Sequence, residues 1–83
     1  MISPERLRDL EFIADLWLKG MKRAKKQFDE LIRLRQSGHI HAPDDVEFLN
    51  RRIEAEDHAI SEYLKAHTLA NSLVDRAKSG EDI

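Results

Sequence analysis

Ser37-Gly38-His39-Ile40-His41-Ala42-Pro43 is the one short break between two long apolar stripes, and its reading decides the fold. Upstream the stripe runs Leu7, Leu10, Ala14, Trp17, Met21, Ala24, Phe28, Leu31. Downstream it runs Val46, Leu49, Ile53, Glu56, Ile60, Tyr63, His67, Ala70, Val74, Ala77. Steps alternating between three and four residues are the repeat of a helix that lays one face against a partner. A break this short makes consecutive helices antiparallel neighbours. The sequence therefore predicts one all-α domain, an antiparallel two-helix hairpin. Its helices cover about 4–37 and 44–78, joined by a loop at 38–43 and followed by a frayed tail at 79–83.

The flanks of each stripe carry start and stop signals. Ser3 can cap, Pro4 suits the first helical position, and Glu5 favours the positive end of the helix dipole. Gly38 is a left-handed stop, preceded by Arg33 and Arg35. Asp44 and Glu47, three residues apart, read as a capping box for the second helix, with Gly80 just past its end. A register in which paired residue numbers sum to about 80 or 81 sets Trp17 by Tyr63, Phe28 by Ile53 and Leu7 by Val74. The same register sets Lys26 by Glu54, Arg23 by Asp57 and Lys19 by Glu62, so apolar and charged sets agree.

Composition fits this plan. Of 83 residues, 41% are hydrophobic and 36% charged, which is too apolar for a disordered chain. A compact body of this mass exposes roughly 5,000 Å². Two helices each ~50 Å long cannot be that compact. Oligomerisation or a stable partner is the expected remedy, with a homodimeric four-helix bundle favoured. There is no cysteine, so disulfide and thiol chemistry are excluded. The start lacks a basic segment leading into an apolar one, and the longest near-apolar run is Ile13–Leu18. A cytoplasmic protein with no membrane partner is the expectation. Residues 4–36 carry nine basic and six acidic side chains, and residues 44–83 carry five and ten, so the helices are complementary in charge.

Each helix has more apolar surface than one seam uses. Phe48, Ala55, Ala59, Ala66, Leu69 and Leu73 fall beside the second seam, and their alanines permit close helix approach. Trp17 with Leu16 and Leu18 exceeds what one helix can cover. These residues are the expected protein-interaction surface, with Trp17, Leu18, Phe48 and Leu69 as anchors.

Catalytic motifs are absent: no phosphate loop, zincin pair, nucleophile elbow or cysteine nucleophile occurs. No enzyme, cofactor or small-molecule substrate is expected. His39 and His41, near Asp44 and Asp45, are the best metal candidates, but loop imidazoles at loose spacing read as solvated, so no metal site is assigned. His67, on the stripe near Ala14, reads as a hydrogen-bonded core histidine; were it buried and neutral, acid would weaken the assembly. Glu56 intrudes on the stripe near Ala24, within reach of Lys25 or Arg23, either fixing register or facing water at the rim. Gly20 marks a close approach or a bend. The run Lys19-Gly-Met-Lys-Arg-Ala-Lys-Lys26 reads as a salt-bridged helix face.

Asp57-His58-Ala59 followed by Tyr63, with the Gly80-Glu81-Asp82-Ile83 end, resembles the Rop-type plasmid RNA-binding dimers at a handful of positions. That resemblance implies two hairpins in a four-helix bundle and RNA contacts through helix one, hence Lys19, Lys22 and Lys25. The capped hairpin with apolar faces is also similar to the small helical co-chaperones of type III secretion, which shield an aggregation-prone partner. The sequence-based expectation is a non-enzymatic protein–protein interaction module, such as an adaptor, a co-chaperone or a phage-type inhibitor of host machinery. RNA binding is its alternative.

Overall fold

Ser3 Oγ accepts a hydrogen bond from the Arg6 amide at 3.2 Å, and Pro4 takes the first helical position, where a missing N–H leaves nothing unpaired. Helix α1 follows as Pro4–Gln36, and helix α2 is Pro43–Lys78. The structure is a computed structural model that describes residues 2–81. It is an all-α antiparallel hairpin, with no strand among the described residues.

The Asp44–Glu47 capping box does not form. Pro43 fixes its own φ in the helical range, so α2 begins one residue earlier and Ala42 holds the cap position with no side-chain bond. Asp44 and Asp45 then sit in the first turn, where the helix dipole favours them, and Glu47 turns to Arg51 at 2.6 Å. At the end of α1, Gly38 adopts φ 74°, while Ser37 Oγ donates to the Leu34 carbonyl at 2.6 Å. The end of α2 is tied rather than frayed over residues 79–81. Gly80, at φ 93°, donates to the Ala77 carbonyl, and the Glu81 amide donates to the Arg76 carbonyl. This pair of bonds satisfies carbonyls that the helix itself leaves open. The Glu81 carboxylate adds an ion pair to Arg76 at 2.7 Å. The rest of the expected tail, Asp82 and Ile83, lies outside the described residues.

Across the seam the apolar register is the expected one. Trp17 and Tyr63 pack as tilted rings, 5.8 Å between centroids, and the His67 imidazole meets the Ala14 carbonyl at 2.9 Å. The charged half of the register fails. Lys19 pairs with Asp15 at 2.9 Å and Glu62 with Lys65 at 3.5 Å, each on its own helix. Lys26–Glu54 and Arg23–Asp57 are likewise not among the ion pairs of the described residues. Register sets height along the hairpin, whereas azimuth sets the side, and these groups point away from one another around the two cylinders. The contact that does cross is Lys78 to Glu11 at 3.4 Å, joined by Arg35 to Asn50 at 3.2 Å near the loop.

The seam is close and thin. Its buried apolar residues are Ala14, Ala24, Leu49, Ile53, Ala70, Val74 and Ala77, mostly small side chains. The hairpin is a rod with Cα extents of 58 × 14 × 13 Å and a radius of gyration of 18.2 Å, against about 12 Å for a compact chain of this length. Its accessible surface is 6269 Å². That exceeds by roughly 1,100 Å² what a compact chain of this mass exposes.

Candidate interaction face

Four of the seven buried apolar residues are alanines, while Phe48 is 68% exposed, Leu69 64% and Phe12 60%. Ile13, Leu16, Trp17, Leu34 and Leu64 are exposed as well. Large apolar side chains left in water beside a core of alanines mark a surface that calls for a partner.

Helical periodicity sorts these residues to two sides of the seam. On one side lie Ile13, Leu16, Trp17 and Leu34 of α1, together with Phe48, Ala55, Ala59, Ala66, Leu69 and Leu73 of α2. Ala59, Ala66 and Leu73 are half-buried near the seam, whereas Ala55 is exposed beyond them. The result is a shallow alanine-floored valley between two ridges of larger side chains. At its α1 ridge an open depression of about 460 Å³ is lined by Ile13, Leu16, Trp17, Gly20 and Tyr63 among others.

Leu18 falls on the other side, apart from Trp17. It shares a depression with Glu11, Ala14, His67, Asn71 and Lys78, so the sequence grouping of Trp17 with Leu18 is split by the fold. Leu16, grouped with Trp17 from the sequence, stays on the main face, where Ile13 and Leu34 join it. The signal that finds Ile13 and Leu34 is the row 13, 20, 27, 34 running one helical step beside the seam, with Leu16 in the next row outward, 16, 23, 30.

Gly20 is the hinge of close packing here. A Cβ built on it would lie 3.1 Å from Tyr63 Cε1, so glycine allows the ring to rest on the α1 backbone. Gly20→Ala should gain about 1 kcal/mol of helix propensity and lose a similar amount by displacing Tyr63, leaving the melting temperature nearly unchanged. A rise equal to the full propensity gain would show that the ring moves freely.

Glu56 is the buried polar residue of the seam, at 9% exposure. Its carboxylate is held by Arg52 of the preceding turn at 3.1 Å, not by Lys25 or Arg23. The nearer partner wins because it sits on the same helix face, four residues away. Removing the arginine strands a buried charge, whereas removing the carboxylate does not. Arg52→Ala should therefore lower stability by about 1–2 kcal/mol, and Glu56→Leu should change it by less than about 1 kcal/mol, in urea denaturation. Equal losses would refute the asymmetry.

His67 is half-buried, and its Nδ1–H donates to the Ala14 carbonyl, because a carbonyl can only accept. His39 and His41 are exposed, and among the described residues no group of three or more His, Asp or Glu side chains gathers around one point. Lys22 and Lys25 line an open groove on α1 with Lys26 and Arg33, but Asp29 and Glu30 line it too. Lys19 is taken by Asp15. Basic charge on α1 is thus interleaved with acid. No helix among the described residues is long and apolar enough to cross a membrane.

No family model, no curated protein and no solved structure matches this chain.

Proposed function

We propose that this chain is a non-enzymatic interaction module, an oligomeric helical hairpin that works by docking its apolar helix faces onto protein. The observation that carries the reading is the exposure of large apolar side chains: Phe48, Leu69, Ile13 and Leu16 stay in water while four of the seven buried apolar residues are alanines. Trp17, Phe48 and Leu69 are the proposed anchors of the main face. Ala55, Ala59, Ala66 and Leu73 provide its floor, and Leu18 serves the opposite side with Phe12 and Leu64. Charges at the rim, such as Arg23 and Glu30, set orientation and partner choice. The depressions on the rod are shallow and open, which suits helix docking better than enclosing a small substrate.

Affinity capture from the native host with wild-type, Leu69→Asp and Leu64→Asp baits tests this reading. Proteins retained by the wild type and lost by one charged variant support it. Retention that neither variant alters overturns it. Retention of RNA instead, falling steeply with salt and lost on neutralising Lys22 and Lys25, replaces it with the nucleic-acid reading.

A further inference from the structure

This inference rests on the proposed interaction reading and names the first occupant of the main face. We propose that the face is covered by a second copy of the same chain, related by a two-fold axis that runs along the rod and places both loops at one end.

Matched heights open the argument. Ile13 and Leu16 lie level with Leu69 and Ala66, and Leu34 lies level with Phe48, in a register whose numbers sum to about 82. A two-fold axis along the rod keeps height and exchanges helices. Then α1 of one copy lies over α2 of the other, with Ile13 over the second copy's Leu69 and Leu34 over its Phe48. An axis across the rod reverses height instead; centred on the face, it sets Ile13 over the second copy's Leu34 and Phe48 over its Leu69, but it also brings Arg23 against the second copy's Arg23. Large apolar groups meet their like in both arrangements, and the first alone keeps the two Arg23 side chains apart.

Charge follows the same arrangement. Arg23 and Glu30 flank the face and have no ion-pair partner among the described residues. Along the axial two-fold, Glu30 comes level with the second copy's Arg52, and Arg23 comes within one turn of its Glu62. On the opposite side the same register levels Leu18 with Leu64 and Lys25 with Asp57, but Glu11, Asn50, Asn71 and Lys78 take most of its other positions, so its apolar area is smaller.

The area is sufficient. From Ile13 to Leu34 the face runs about 30 Å, and two helices make it about 20 Å wide. The footprint is roughly 600 Å² on each copy, or about 1,200 Å² in total, which reaches the size of a specific interface.

The chain has no cysteine, so His41→Cys accepts a single nitroxide at the exposed loop. Sedimentation equilibrium and double electron–electron resonance on the labelled full chain then read mass and loop-to-loop distance together. The expected result is twice the chain mass with a label separation below about 30 Å, as for neighbouring helices ~10 Å apart carrying flexible labels. A doubled mass with labels separated by nearly the 58 Å length of the rod overturns the axial arrangement. Phe48→Asp combined with Leu69→Asp should return the mass to that of one chain, whereas Leu64→Asp should not. Should the double variant lose its helicity on dissociation, the label distance in the otherwise unaltered chain still decides. A single-chain mass overturns the second copy as occupant. If capture in that case still depends on Leu69 or on Leu64, the interaction reading survives; if it depends on neither, both fall.

Discussion

Ile53→Ala is expected to cost about 2–4 kcal/mol and to shift the urea midpoint further than any single truncation on the exposed faces. The reason is the composition of the seam. Only Leu49, Ile53 and Val74 among its buried apolar residues are larger than alanine. Ile53 lies in the loop-proximal half, where the register sets it by Phe28, and the thin wall of the rod leaves few neighbours able to collapse into the vacated space. A small helical protein has only about 5–15 kcal/mol of net stability to begin with, so this one truncation removes a large part of it. The contrast is Phe48→Ala, which should change unfolding of the isolated hairpin little, because the ring is mostly in water there. Comparable losses for the two would mean that Phe48 is already covered in solution. Measuring the pair at several protein concentrations makes the comparison doubly useful, since assembly makes stability depend on concentration.

Ala14→Leu is expected to destabilise by about 2–4 kcal/mol through two effects that share one site. The added carbons enter a seam where Ala14 is only 4% exposed, and overpacking of this kind costs about 1–3 kcal/mol. Moving the helices apart also breaks the 2.9 Å bond from His67 to the Ala14 carbonyl, worth about 1 kcal/mol. His67→Leu separates the two effects by removing the bond without the crowding, and about 1 kcal/mol is the loss expected for it. If Ala14→Leu raises the melting temperature, the helices separate more readily than the alanine seam implies.

Much of this was readable from the chain. The three-four spacing gave the helices, the seven-residue break gave their direction, and the apolar stripe gave the register that Trp17–Tyr63 and Ala14–His67 show. Helix starts were less legible at α2, where two valid signals competed and the fixed φ of Pro43 prevailed over the capping box at Asp44. Ion pairing was misjudged because one-dimensional register carries no azimuth. Lys19 and Glu62 share a height but not a side, and each finds a partner on its own helix. The interaction face was half visible. Its α2 ridge followed from the row Phe48, Ala55, Leu69, whereas the α1 ridge needed the fold to separate Ile13, Leu16 and Trp17 from Leu18. The role of Gly20 was open between a bend and a close approach, and the ring of Tyr63 against its backbone identifies the approach.

The pairing rule of the seam also governs how the molecule comes together. The cross-helix contacts named above join residues whose numbers sum to between 80 and 89, so sequence separation grows from the Arg35–Asn50 bond beside the loop to Lys78–Glu11 at the far end. Closing the short loop first makes each later pair a small increment in chain entropy rather than a new long closure. The hairpin can therefore zip from its tip, a low-contact-order route of the kind that folds fast. Opening runs the other way. The end that bears both chain termini parts first, like tongs, with Lys78 and Glu11 as the outermost latch, and the tip holds longest.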